Sequence, residues 1–308
     1  MRKILIFLLL PLLAAAQNQK FNTEEIAVNE LIVGTLYTPH DVKKTPLLIL
    51  LAGSGPTDRN GNQAGLTNNS LKMISESAAG SGIGVYAYDK RIITQMKNGT
   101  LDEKNLTFDD FITDARQTIA YFRQKKAYSK IIVAGHSEGS LIGMIAANGS
   151  ADGFISISGG GRSIDKIITE QVLRQTPTMK EELEQNFNSL RNGKTFALQN
   201  PMLASLFRES VQPYLISWIK YDPAAEIAKL KIPVLIVNGT KDLQVPASEA
   251  QLLKVSKPDS KIVIIENMNH VLKVIAGDDT ENIAAYNIPD LPVSDKLTTA
   301  VNQFIKSL

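Results

Sequence analysis

Short runs of apolar, often β-branched residues recur along the chain, each too short for a typical helix. Residues 46–51 (Pro-Leu-Leu-Ile-Leu-Leu), 84–88, 131–134, 153–159, 232–238 and 261–265 read this way. A continuous apolar run of this length suits a strand covered on both faces, as in a parallel sheet. Ahead of them, Val28, Leu31, Val33, Thr35 and Tyr37 fall on or near a period of two. That pattern predicts strands with a turn over 24–37.

Between the runs the apolar spacing changes to that of amphipathic helices. Residues 70–79 are helical in pattern and end at Gly80-Ser81-Gly82. Thr107 followed by Asp109 and Asp110 reads as an N-cap with acids in the first turn. Phe111, Ala115, Ile119 and Phe122 continue that helix to a basic end at 123–126. Residues 141–147, 247–255 and 298–305 are further helices. Strands alternating with helices predict an α/β architecture with a mostly parallel central sheet and helices on both faces.

The alternation stops at Gly160. From about 163 to 221 the pattern is helical, with Ile164, Ile167, Ile168 and Val172 on one face and Leu183, Phe187 and Leu190 on another. Residues 202–219 predict a third helix, holding Phe207, Tyr214 and the only tryptophan, Trp218. We read 160–225 as a helical cap inserted into one domain that spans 17–308.

The run at 131–134 leads without a gap into Gly135-His136-Ser137-Glu138-Gly139, and a helix follows. Strand, sharp turn and helix around Gly-x-Ser-x-Gly predict a nucleophile elbow, in which a strained backbone lifts the serine hydroxyl clear of the sheet. Ser137 is therefore the candidate nucleophile. The run at 46–51 empties into a polar, glycine-rich loop, Ala52-Gly53-Ser54-Gly55-Pro56-Thr57-Asp58-Arg59-Asn60-Gly61-Asn62. In a serine hydrolase such a loop supplies one oxyanion donor and the residue after the nucleophile the other, which points to the N–H groups of Ser54 and Glu138.

A serine nucleophile needs a base, and the chain has three histidines. His136 adjoins Ser137 and projects away from its hydroxyl, and His40 lies near a proline turn. His270, just past the last strand, is the expected base. Asp242, after the penultimate strand, is the expected acid and gives the order Ser, Asp, His. Asp165 is the second choice. Asp278 and Asp279 follow His270 and read as solvated loop acids.

These residues carry a resemblance. Gly135-His136-Ser137-Glu138-Gly139, Asn238-Gly239-Thr240-Lys241-Asp242 and Asn269-His270 are similar to the motifs of the α/β-hydrolase superfamily. The 52–62 loop with Tyr88-Asp89-Lys90-Arg91 resembles, more narrowly, the serine aminopeptidase-like branch with its monoacylglycerol-lipase-like and carboxylesterase-like members. Ala52 stands where many relatives have histidine, and Ile92 where many have glycine. The resemblance implies a two-step acyl transfer on a small-molecule ester, without cofactor or metal. The alternatives are an aminopeptidase, for which Glu181, Glu182, Glu184 and Glu209 offer cap carboxylates for a free amine, and a non-catalytic binding protein that keeps the fold.

Composition narrows the setting. Arg2 and Lys3, the apolar run 4–13 and Ala14-Ala15-Ala16 predict a secretory signal peptide over 1–16 and a secreted or periplasmic protein. The run is shorter than the ~20 residues of a spanning helix, so no membrane anchor is expected. The chain has no cysteine, which excludes disulfides and thiol catalysis. A formal charge of +2 gives no reason to expect nucleic acid as a partner.

Overall fold

The computed structural model describes residues 20–40, 42 and 44–308; the signal peptide expected at 1–16 lies outside them. The strands are β1 (Phe21–Ala27), β2 (Val33–Pro39), β3 (Leu47–Leu51), β4 (Gly84–Tyr88), β5 (Ile131–His136), β6 (Gly153–Ile157), β7 (Val234–Gly239) and β8 (Lys261–Ile265). They form one sheet in the order β1-β2-β4-β3-β5-β6-β7-β8. β1 and β2 form an antiparallel hairpin, β2 runs antiparallel to β4, and every later pairing is parallel.

Alternate residues of each central strand feed two separate cores, because side chains of a strand point to opposite faces. Leu47, Ile49, Val133, Phe154 and Ile236 pack on one face; Leu48, Leu50, Ile132, Ile155 and Val237 pack on the other. Helices cover both. α1 (Ser70–Gly80) joins β3 to β4, α2 (Arg91–Lys97) and α3 (Phe108–Lys125) join β4 to β5, and α4 (Glu138–Ala147) joins β5 to β6. The N-cap expected at Thr107 is present and extends to a capping box, with Thr107 and Asp110 bonding reciprocally. α4 is buried along its whole length: its residues are small or apolar apart from Glu138, whose carboxylate is paired with Lys90.

Five helices separate β6 from β7: α5 (Ile164–Gln175), α6 (Lys180–Arg191), α7 (Ala204–Phe207), α8 (Gln212–Ile219) and α9 (Pro223–Ala228). The third helix expected over 202–219 is in fact broken between α7 and α8. A continuous helix would drive the Pro213 ring against the carbonyl of Glu209, and the chain instead turns extended at Arg208, whose guanidinium bonds Glu103. α10 (Ala247–Ser256) lies between β7 and β8, and α11 (Asp279–Ala284) and α12 (Asp295–Lys306) end the chain. α2 and α11 have no clear apolar periodicity and were not anticipated from the pattern. Asp278, expected as a solvated loop acid, caps α11 by accepting from Thr280 and Glu281 N–H. No described helix is long and apolar enough to cross a membrane.

α4 packs on the sheet with nothing between them at Gly143, where a Cβ would lie 2.9 Å from the Phe154 ring and 3.2 Å from Val133. Gly80, by contrast, has open space around it. Gly143→Val is expected to lower the unfolding free energy by about 3 kcal/mol through overpacking. Gly80→Ala is expected to raise it by about 0.5 kcal/mol through the unfolded chain. Urea denaturation of both variants checks the pair.

Candidate active site

β5 ends in a turn that places Ser137 at φ 54°, ψ −121°, a region that costs a non-glycine residue of order 1–3 kcal/mol. The turn is held by Ser137 N–H donating to Ile157 O at 2.9 Å and by Ser140 N–H donating to Ser137 O at 3.0 Å. The flanking glycines are required by contact. A Cβ on Gly135 would lie 1.9 Å from Gly139 O, and one on Gly139 would lie 2.5 Å from Ala52 O. Ser137 thus stands at the N-terminus of α4, whose first N–H groups face outward with the positive end of the helix dipole.

The loop after β3 comes up against this turn. A Cβ on Gly53 would lie 3.2 Å from Ser137 Cβ and 3.3 Å from His136 Nδ1. The rest of the loop is held by its own side chains. Thr57 Oγ1 and Gln63 Nε2 donate to Ser54 O at 2.7 and 2.8 Å, and Asp58 accepts from Asn60 and Asn62 N–H. Arg59 clamps the loop to the end of β4 with a two-pronged contact on Asp89, at 3.1 and 2.9 Å. Burial alone would raise the Asp89 carboxyl, but Arg59 outweighs it and holds the pKa below the ordinary value. The N–H groups of Ser54 and Glu138 have no acceptor among the described residues.

Asp242 and His270 meet across the ends of β7 and β8. His270 Nδ1 lies 2.8 Å from Asp242 Oδ2 and 3.0 Å from Oδ1. Asp242 also accepts from Gln244 and Val245 N–H at 2.9 and 2.8 Å. Burial pushes its carboxyl up, yet His270, the Val245 N–H and Ser158 together hold its pKa below the usual carboxylate value. Asn269, fully buried, accepts from Lys273 N–H at 2.9 Å and donates to Asn282 at 3.0 Å, so the His270 turn is anchored on both sides. Gly239 is needed here because a Cβ on it would lie 1.9 Å from Met268 O.

Ser137 Oγ makes no hydrogen bond to His270 in this structure. The link between them runs through His136, the residue that precedes the serine. His136 Nε2 lies 2.8 Å from His270 O, and the two rings are 4.8 Å apart. A carbonyl partner requires that Nε2 carry the hydrogen. Burial, and then the neighbouring His270, lower the His136 pKa to about 3, so the ring stays neutral. Its proximity to Ser137 in sequence was visible, but the reach to His270 depends on the tertiary fold. Asp165, the second-choice acid, is elsewhere: it sits buried in the first turn of α5 and accepts from Arg191 at 2.6 Å. His40 is exposed, 3.1 Å from Asn22.

A cavity of about 740 Å³ opens on Ser137, Ser54 and Glu138. Its walls are mostly apolar and include Ile164, Ile168 and Val172 of α5, Tyr214 and Leu215 of α8, Val211 just before α8, and Phe111 of α3. Two carboxylates reach it, Glu103 and Glu138, and each is bonded to a cation, Arg208 and Lys90 respectively. Glu181, Glu182, Glu184 and Glu209 do not line it. A carbonyl compound with an apolar body fits this site, its carbonyl beside Ser137 and its body under α5 and α8.

His136 predicts an acid-linked loss of stability. Its folded pKa of about 3 lies below the unfolded value near 6.5, so the unfolded state binds the proton first. The contribution is complete above about pH 6.5 and shrinks as the pH falls towards the folded value. From about pH 7 to about pH 4, His136→Gln is expected to lose roughly 3 kcal/mol less unfolding free energy than the parent. Chemical denaturation at the two pH values checks it.

No family model matches the chain. Esterase EstD of Thermotoga maritima is 25% identical over 284 residues, an alignment that takes in 87% of this chain and 64% of EstD. The chain therefore spans under two thirds of the length of that relative. Among solved structures, Est1E from Butyrivibrio proteoclasticus superposes with a TM-score of 0.60 at 18% identity, covering 92% of this chain and 98% of Est1E. The acylaminoacyl peptidase of Pyrococcus horikoshii superposes with a TM-score of 0.57 at 12% identity, over 94% of this chain and 42% of the peptidase. An esterase and a peptidase sharing one scaffold says nothing about substrate; together with the strand order, these likenesses show that the fold is that of the α/β-hydrolases.

Proposed function

We propose that this chain is a serine hydrolase that cleaves carboxylic esters with apolar acyl groups. The observation that carries the reading is a serine in a strained turn, at the mouth of a largely apolar cavity, with a bonded His–Asp pair tied to the same turn. Asp242 stays ionised and holds the proton on His270 Nδ1, which leaves Nε2 as the base. His270 then takes the Ser137 proton as Oγ attacks the ester carbonyl. The oxyanion sits against the N–H groups of Ser54 and Glu138, aided by the α4 dipole. His270 returns the proton to the leaving alcohol, and water repeats the sequence to release the acid.

The charge inside the cavity supports ester over aminopeptide cleavage. An aminopeptidase needs a carboxylate free to hold the substrate ammonium. Here Glu103 and Glu138 are each paired with one of the protein's own cations, Arg208 and Lys90, although Glu138 keeps one buried oxygen, Oε2, without a hydrogen-bond partner among the described residues. The name of the curated relative, an esterase, points the same way.

Hydrolysis of p-nitrophenyl esters of graded chain length tests the reading. Ser137→Ala is expected to lower kcat more than about 1,000-fold, and Asp242→Asn by roughly 10,000-fold because the imidazole then takes the wrong tautomer. Each added acyl methylene is expected to raise kcat/KM by up to about fourfold, the worth of burying one such group, until the cavity is full. Ile168→Trp should move that limit to shorter chains. A parent that hydrolyses no ester but releases amino acids from aminoacyl amides would overturn the ester reading in favour of the peptidase.

A further inference from the structure

Lys90 is among the most buried lysines of the described chain, 5% exposed, and it stands at the end of β4 beside the cavity. In the sequence Lys90 belongs to the charged cluster Asp89-Lys90-Arg91 that closes the strand at 84–88. The structure gives the Lys90 ammonium three partners. It donates to Glu138 Oε1 at 2.6 Å and to Gly53 O at 3.1 Å, and it lies 4.2 Å from the centre of the Phe111 ring. Burying a lysine so deeply is costly, and surface pairing would have served stability equally well.

The choice of partners is informative. Gly53 O and Ser54 N–H belong to the same peptide unit. A trans peptide is planar, with its C=O and N–H pointing in opposite directions, and the chain has no cis bond among the described residues. An ammonium that draws the Gly53 carbonyl to one side therefore aims the Ser54 N–H to the other. Its second bond holds the side chain of Glu138, whose own N–H is the other free donor at the turn. One cation thus ties together the two segments that carry the two donors, the loop after β3 and the start of α4. Arg59 and Gln63 fix the loop further along, at Asp89 and at Ser54 O, and leave the 53–54 peptide to Lys90.

We propose that Lys90 is a positioning residue for the oxyanion hole: it sets the orientation of the Gly53–Ser54 peptide and its spacing from Glu138, so that both N–H groups converge on the carbonyl oxygen of the substrate. The proposal rests on the serine hydrolase reading. Lys90 itself touches no reacting atom. Its effect belongs to the transition state, where the oxygen gains charge, and not to the binding of the acyl body.

The test compares the parent with Lys90→Met, which keeps the length of the side chain and removes the charge, and with Lys90→Met/Glu138→Gln, which also removes the buried carboxylate left unpaired. Steady-state ester hydrolysis and the rate at which a fluorophosphonate labels Ser137 are measured on each, with thermal denaturation as the control for folding. Phosphonylation places an oxygen in the same hole without needing the natural substrate. In Lys90→Met, kcat and the labelling rate are expected to fall together by about 10- to 100-fold, less than or similar to the loss of a whole donor. KM should stay within about twofold. The double variant should regain melting temperature without regaining kcat; if the single variant does not fold, the double variant is read in its place. A folded variant that keeps parental kcat and labelling, or a double variant that regains both stability and rate, overturns the proposal while leaving the hydrolase intact. A parent that neither hydrolyses esters nor takes the label overturns the hydrolase reading, and this inference with it.

Discussion

Three backbones meet at Gly135 and Gly139 with no space for a side chain among them. The end of β5, the first turn of α4 and the carbonyls at the end of β3 approach so closely that a single methyl at either glycine would strike main chain. The strained Ser137 turn exists because of that approach, and its cost of order 1–3 kcal/mol is small beside what surrounds it. α4 alone buries Leu141, Ile142, Met144 and Ile145, each worth roughly 1.5–3 kcal/mol. The helix cannot relax the turn without giving up that burial. The same contact brings the loop after β3 to the serine and fixes where the helix dipole points.

Around this junction, the polar groups form links between loops instead of isolated pairs. Arg59 joins the loop after β3 to the end of β4. Lys90 joins it to α4, His136 joins β5 to the turn after β8, and Asp242 joins the end of β7 to the same turn. Buried ion pairs gain little net stability, since desolvation offsets most of the attraction. What these contacts supply is relative position. Loops at the carboxyl ends of parallel strands have no ladder to hold them, and here they are fixed to their neighbours by charge-assisted bonds and, at His136, by a bond from a neutral ring to a carbonyl.

Much of this was legible in the sequence because the signals were local. The apolar runs at β3 to β8 left no helical alternative of suitable length, and the Gly-x-Ser-x-Gly turn was bounded by a strand and a helix. Asp242 and His270 stood at strand ends, where order along the chain already suggested their pairing. The less legible parts depended on contacts distant in sequence. The charged cluster 89–91 marks the end of a strand, but only contacts with Glu138, Gly53 and Phe111, all distant in sequence, show that Lys90 is buried. His136 was judged by its neighbour in sequence, while its partner lies 134 positions away. The break between α7 and α8 was marked by Pro213, but apolar periodicity continued on both sides and masked it.

The segment 158–233 leaves the sheet at the end of β6 and returns at β7, and these two strands are hydrogen-bonded neighbours, from Phe154 beside Val234 to Ile157 beside Val237. A loop whose ends are already held together by a strand pair can grow or shrink cheaply, since doubling its length costs only about 0.6 kcal/mol in closure entropy. Half of the residues that line the cavity come from this one excursion, whereas the serine turn, the paired histidine and aspartate, and the loop after β3 lie outside it. Changes of length or sequence in this single stretch can therefore reshape one side of the cavity without moving the serine turn or the loops that meet it.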